Sequence, residues 1–489
     1  MKKHNLFKVL SITYLVAVLL TWILPSAVYE SSLEVGSRNP MGLYDIVVYL
    51  IYSLRAFAPV ILFVLAIGGL YGVLDKTEAY PKMVERTINW FKDKKRWFLI
   101  PTTILFVILA SVTGLNLSLF IFFPFVIAVI LGLGYDKLTA LTVTVGSTIV
   151  GMLGATFSPT IYSLINYALK TSYTDEILGK VILLVLGTAL LIFFILMYIK
   201  DKVVSEKKED SKKSKDSAKS KKIKVAKKDE KKDKDEQVIT NKVRTWPLYV
   251  IFGILFVLLV VGSIDFGTGT FFEKMHEAIM GVHIKKFYVF KSIFGSIPAI
   301  GEWSFGEYLS LSYFTFTFFI IAASLIIMLV SKMKFDDYLD NFKDGTKKVG
   351  KAVPLLALAY ALVYVAATNQ VYLNITNFIS KLTKDFNIVT CSISMVINSI
   401  FNPDLYYYTN TQLLYYIDLL NDASINPLLG MMFTGIHSLM SLIMPSSILL
   451  ILGLSYTDTK WTDWIKHIWK LFLGLLVISL ITYTLILIL

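Results

Sequence analysis

Cysteine is almost absent from this sequence. Cys391 is the single one in 489 residues, so no internal disulfide and no CxxC or Cys/His zinc spacing exists. It lies in an apolar stretch and reads as a small buried hydrophobe. Charge is scarce too. Only 17% of residues are charged and 55% are hydrophobic, whereas a soluble domain averages about 25% charged. There is no GxxxxGK[ST] phosphate loop, no HExxH helix and no GxSxG elbow. These absences exclude a soluble enzyme, a disordered chain, a disulfide scaffold and a built-in ATPase.

The charges that remain are unevenly spread. Residues 200–236 hold 16 of the 48 basic and 10 of the 35 acidic side chains. The net charge of +13 therefore argues poorly for nucleic-acid binding. The rest of the chain is apolar beyond the needs of a soluble core.

A membrane-spanning helix needs about 20 apolar residues. Residues 6–25 meet this. Pro25, Ser26, Ala27 and Val28 make a poor signal-peptidase site, so the segment reads as a retained first span. Further spans are expected at 57–74, 138–169, 177–198, 246–264, 312–330, 353–367, 425–456 and 468–489. Two uncharged regions differ, 97–134 and 387–403, the second continuing to Ile417. The first is broken at Thr113-Gly114-Leu115-Asn116 and the second at Asn402-Pro403-Asp404. Arms of about 17 residues reach roughly 25 Å, so both regions read as re-entrant hairpins.

Basic residues mark the cytoplasmic side. Lys2 and Lys3, the group Lys82, Arg86, Lys92, Lys94 and Lys95, the 200–236 run and the 332–351 segment all fall inside. Loops 28–56 and 265–311 fall outside. In the second loop, His276, Ile284, Phe287 and Phe290 are expected on an interfacial helix.

The order of elements then repeats. Span, hairpin, long span and final span occupy 57–198 and again 353–489. The charge rule places the two hairpins on opposite sides. Inverted repeats with broken helices meeting at the midplane are a transporter arrangement. The expected fold is thus an all-α polytopic membrane protein, an inverted-repeat transporter with two re-entrant hairpins and two broken helices. Residues 1–199 form one membrane half and 244–489 the other. The charged linker at 200–243 has little to bury and is expected to be disordered and cytoplasmic.

The long spans carry the polar residues. Gly146, Ser147 and Thr148 precede Gly151, Gly154, Thr156, Ser158 and Pro159. In the other half, Thr434 and Gly435 precede His437, Ser438, Ser441, Pro445, Ser446 and Ser447. Irregular backbone at membrane depth is tolerated where it is buried in protein or lines a watery cavity. Small residues at helix contacts are the structural alternative. The hairpin breaks add Gly114, Asn116 and Ser118, then Asn398, Asn402, Pro403 and Asp404. Asp404 reads either as a helix N-cap or as a cation ligand. His437 reads either as a hydrogen-bonded core histidine or as a substrate or proton group. Ser438 is its neighbour on the helix and points about 100° away, so the two form no catalytic dyad.

Three stretches carry a family resemblance. Gly68-Gly69-Leu70-Tyr71-Gly72-Val73-Leu74 followed by Lys76-Thr77 resembles the segment after the second span of YfcC-type carriers. So does Phe123-Pro124-Phe125 running to Leu133-Gly134-Tyr135-Asp136-Lys137. The third is Pro445-Ser446-Ser447 running to Trp464-Ile465-Lys466-His467. The resemblance spans both halves and places the chain near the anaerobic four-carbon dicarboxylate carriers of the ion transporter superfamily. It implies a homodimeric secondary carrier in a bacterial cytoplasmic membrane. It also points to Gly114, Asn116, Ser147, Thr148, Thr156, Ser158, Asn402, Thr434, His437, Ser446 and Ser447 as substrate-binding residues. Both hairpin tips depart from the pattern of many relatives, which have a Glu-containing first tip and a Ser-Gly second tip.

The sequence therefore reads as a secondary active transporter of a small organic anion or an amino acid. No catalytic residue and no cofactor is expected. The coupling ion is expected to be sodium, because hydroxyls and carbonyls outnumber buried acids, with candidate contacts near Gly146, Asn398 and Asp404. The rival readings are a passive channel and a non-transporting membrane scaffold.

Overall fold

The computed structural model describes residues 5–29, 32–217, 244–264, 271–299, 311–383 and 387–488. Its regular structure is almost all helical, as the apolar composition requires of a chain that spans a membrane. The first half opens with α1 (Asn5–Ile23) and a small antiparallel hairpin, β1 (Ala27–Tyr29) with β2 (Leu33–Val35), pairing Ala27 with Val35. Helices α2 (Leu43–Ala56) and α3 (Ala58–Leu74) come next, bent by 65° at Phe57. Pro59 in the first turn of α3 has no N–H to continue the α2 ladder, which localises the bend.

Helix α4 (Ala79–Phe91) leads to the first hairpin, α5 (Arg96–Thr113) and α6 (Phe123–Gly132). The hairpin turns at Gly114, whose φ of 75° lies in the left-handed region that glycine reaches without strain. The first broken helix consists of α7 (Lys137–Leu141), a π-turn at Thr142–Gly146, α8 (Ser147–Leu153) and, past a break at 154–158, α9 (Pro159–Leu169). Asp136 starts it by accepting the Thr139 N–H at 2.9 Å. Helix α10 (Ile177–Ser217) closes this half and runs into the charged segment. The rest of the expected linker, 218–243, lies outside the described residues.

The second half has α11 (Trp246–Gly262), α12 (Phe271–Met280), the short strands β3 (His283–Ile284) and β4 (Phe287–Tyr288), α13 (Val289–Phe294) and α14 (Leu311–Val330). Another bent pair comes after them, α15 (Phe335–Gly350) and α16 (Val353–Asn369), at 50°. After α17 (Val371–Thr383) comes the second hairpin, α18 (Ile388–Phe401) and α19 (Leu405–Tyr408), which continues through a π-turn into α20 (Leu414–Leu420). The second broken helix is α21 (Asn426–Ser441) and α22 (Ile448–Thr457), and α23 (Trp461–Ile488) ends the chain. Both halves share one order: bent pair, short helix, hairpin, broken helix, long helix.

Among the described residues, five helices are long and apolar enough to cross a membrane, and the two bent pairs qualify when each is taken as one span. Three expectations need correction. The stretch 28–56 is not a plain outer loop, because α2 occupies 14 of its residues. Its charges hid it: Asp45 sits in the first turn and Arg55 in the last, where each complements the helix dipole. The inner loop at 332–351 is mostly α15, placed the same way by Asp336 and Asp337 at its start and Lys347 and Lys348 at its end. Within 265–311, His276 is on α12 and Phe290 on α13, but Ile284 and Phe287 pair across a tight β-turn.

One close crossing anchors the bundle. A Cβ on Gly345 of α15 would stand 2.1 Å from the Gly68 carbonyl oxygen of α3, and one on Gly72 would stand 2.3 Å from the Asn341 carbonyl oxygen. Backbones at that separation leave no room for a side chain. Helix α8 packs between α5 and α21, and α10 lies against α23, so the two halves meet along their broken helices.

Candidate functional site

Four interruptions of helix face one cavity. Its lining comes from the first hairpin tip (Gly114, Asn116, Leu117), the first broken helix (Ile149, Met152, Ile161, Leu164), the second tip (Pro403, Leu405, Tyr406, Thr409) and the second broken helix (His437, Ser441, Ser447, Ile448, Leu449). Roughly 70 Å³ is open to the centres of water-sized molecules. One water needs about 10–15 Å³ on that measure. The space suits a small organic ion and is far too small for a lipid.

The breaks are stitched to the tips by buried polar contacts. Ser111, at the end of α5, donates its hydroxyl to the Gly154 carbonyl at 2.7 Å and accepts the Thr156 N–H on its own carbonyl at 2.9 Å. In the second half, His437 Nε2 lies 2.9 Å from the Asn402 carbonyl oxygen, and Ser446 Oγ donates to the Ile400 carbonyl at 3.2 Å. These bonds satisfy backbone groups that a broken helix would otherwise leave bare in an apolar medium.

Of the eleven residues expected to bind substrate, Gly114, Asn116, His437 and Ser447 line the cavity. The other seven do not. Ser147, Thr148 and Thr434 turn their hydroxyls back onto the carbonyls of Thr142, Thr144 and Gly430 in their own helices. Thr156 bonds to Ser111, and Ser446 to Ile400. Asn402 holds His437 through its backbone, while its side-chain Nδ2 donates to the Asn398 carbonyl at 2.8 Å. Ser158 is buried, with no hydrogen-bond partner for its hydroxyl among the described residues.

Thr409, Tyr406 and Ser441 line the cavity without having been expected there. Ser441 is four residues after His437 and shares its helix face, a signal the sequence did contain. Thr409 and Tyr406 sit on a tyrosine-rich arm that reads as packing.

Asp404 is fully buried and caps α19: its Oδ1 accepts the Tyr407 N–H at 2.9 Å. Its Oδ2 has no hydrogen-bond partner among the described residues. Asn398 points Nδ2 into a network with Thr376 Oγ1 and Gln412 Oε1, both at 2.8 Å, and the Tyr416 hydroxyl at 3.0 Å. Gly146 ends the π-turn of the first broken helix. Among the described residues, no group of three His, Cys, Asp or Glu side chains could hold a metal ion.

The family model of C4-dicarboxylate anaerobic carriers (DcuC) matches residues 4–488. An uncharacterized protein of Haemophilus influenzae is 22% identical over 163 residues, which is 33% of this chain and 32% of that protein. The matched segment thus spans about a third of that relative's length. Two solved structures align along nearly the whole chain. The YdaH transporter of Alcanivorax borkumensis, described as having an unusual topology, shows 13% identity over 99% of this chain and 98% of its own, with a TM-score of 0.42. MtrF of Neisseria gonorrhoeae, described as illuminating a class of antimetabolite efflux pumps, shows 10% identity over 98% of this chain and 94% of its own, with a TM-score of 0.40.

Proposed function

The chain belongs to the family of anaerobic C4-dicarboxylate carriers, and from that premise we propose that it is a secondary carrier working by alternating access. It is a multi-pass membrane transporter; the proposal concerns what it moves and how. The cargo is a small organic anion, a dicarboxylate or another carboxylate, with an amino acid as the nearest substitute. One observation carries this reading: both hairpin tips and both broken helices line a single small cavity. A site built from interrupted helices offers free backbone N–H groups to an anion and free carbonyls to a cation.

The two halves are inverted relative to each other, so one set of contacts serves both the inward-open and outward-open forms. Sodium is one coupling ion. The protein is a homodimer in a bacterial cytoplasmic membrane, with its N-terminus and the 200–243 linker inside. A thermal-shift screen of the purified protein against carboxylates and amino acids, with sodium or choline as the salt cation, tests the reading. The expected result is a carboxylate-dependent rise in melting temperature that is larger in sodium. No shift with any compound counts against it.

A further inference from the structure

His437 holds a fixed tautomer. Its Nε2 is 2.9 Å from the Asn402 carbonyl oxygen. A carbonyl only accepts, so Nε2 carries the hydrogen. In the neutral ring, Nδ1 is then a bare acceptor. It is buried and has no hydrogen-bond partner among the described residues, and His437 is a lining residue of the cavity.

Two hydroxyls that line the cavity are spent elsewhere. Ser441 Oγ donates to the His437 carbonyl at 3.0 Å, and Thr409 Oγ1 donates to the Leu405 carbonyl at 2.7 Å. The titratable groups on the elements packed around His437 are few. The second hairpin brings Asp404, Tyr406 and Tyr408, the last with its ring centroid 5.8 Å away. Tyr162 of α9 lies against Thr434, and Tyr483 of α23 against Gly435. The first hairpin tip and α8 bring none to the cavity wall. No Lys or Arg lines the cavity to neutralise a carboxylate.

We propose that the carboxylate cargo binds at His437 Nδ1 together with one proton, shared between that nitrogen and a carboxylate oxygen. This rests on the reading that the cavity takes the transported anion. The proton comes from bulk solution and ends between Nδ1 and the carboxylate, while the Nε2 hydrogen stays on the Asn402 carbonyl. Bound carboxylate is thus one charge less negative than free carboxylate, which a cavity without basic side chains favours. Affinity rises as pH falls, by up to about tenfold per pH unit where both free partners are unprotonated.

The test uses the purified full chain, succinate as the probe and alanine as an amino-acid control. Calorimetry near pH 7.5, in two buffers of different ionisation enthalpy, counts protons taken up per succinate bound. At about that pH succinate itself is a dianion. The wild type is expected to take up close to one proton, and His437→Gln none. Gln retains an N–H for the Asn402 carbonyl without a titrating group, and His437→Asn repeats the test should Gln not fold. Succinate binding without proton uptake in the wild type overturns the proposal, as does unchanged uptake in the variant. Tight alanine binding with no proton taken up overturns it too, because an ammonium would then be the donor to Nδ1. No saturable succinate binding at any pH overturns the anion reading beneath it, a distinct failure.

Discussion

Ser111 and Gly154 are joined by a 2.7 Å hydrogen bond from the serine hydroxyl to the glycine carbonyl, across 43 residues of sequence. It fastens the end of α5 to the break in the first broken helix. His437 and Asn402 make the corresponding joint in the second half, at 2.9 Å. Each hairpin is therefore tied to the broken helix that succeeds it in the chain. Hairpin and broken helix are expected to move as one body.

Ser111→Ala removes the donor and leaves the Gly154 carbonyl bare in an apolar setting. The expected loss is about 1–3 kcal/mol of stability, read as a lower melting temperature in detergent. A melting temperature equal to wild type would show that the joint contributes nothing.

Gly345→Leu should fail to assemble, because its Cβ alone would stand 2.1 Å from the Gly68 carbonyl oxygen. Gly345→Ala adds the same Cβ against backbone atoms and should already cost more than about 3 kcal/mol, beyond ordinary overpacking. Size-exclusion profiles of fluorescently tagged variants are expected to lose the monodisperse peak in both, more completely for leucine. A monodisperse leucine variant contradicts the close crossing of α3 and α15.

Ser441→Leu projects a larger side chain into the cavity from the face it shares with His437. Exchange should fall by at least about tenfold while stability changes by less than about 1 kcal/mol, since the added volume fills open space. Full exchange activity would mean the cargo passes elsewhere.

Asp404→Ala removes the N-cap of α19 and should cost about 0.5–2 kcal/mol, whereas Asp404→Asn keeps an acceptor and should cost only tenths. Equal losses in a denaturation series would show that capping is not the side chain's structural role.

Sidedness is tested by cysteine labelling in a Cys391→Ala background. Asn39→Cys should react with an impermeant maleimide in intact cells, and Lys222→Cys only after the membrane is opened. The reverse pattern contradicts the proposed orientation.

The sequence showed the breaks more clearly than the site. Gly114, Pro403, Pro159 and Pro445 interrupt helices by local rules that need no tertiary context, and the structure interrupts helices at or beside each one. The bent pairs were hidden, because Asp45 and Arg55, or the charges of α15, make a helix look like a loop to a hydropathy scan. Which hydroxyls face the cavity was also illegible. The π-turn at Thr142–Gly146 inserts an extra residue per turn and rotates the downstream helix by about 100°, so a face read with a 3.6-residue period is wrong beyond it. Ser147 and Thr148 lie just past that turn and bond to their own helix. In α21, which has no such turn, His437 lines the cavity while Thr434 bonds to its own helix.

Carrier-mediated exchange through this cavity has a direct readout. Counterflow in proteoliposomes tests it most directly: vesicles preloaded with unlabelled succinate are diluted into a trace of labelled succinate. The expected result is a transient, saturable accumulation of label above equilibrium that Ser441→Leu abolishes. Uptake that is linear in concentration, with no overshoot, would contradict it.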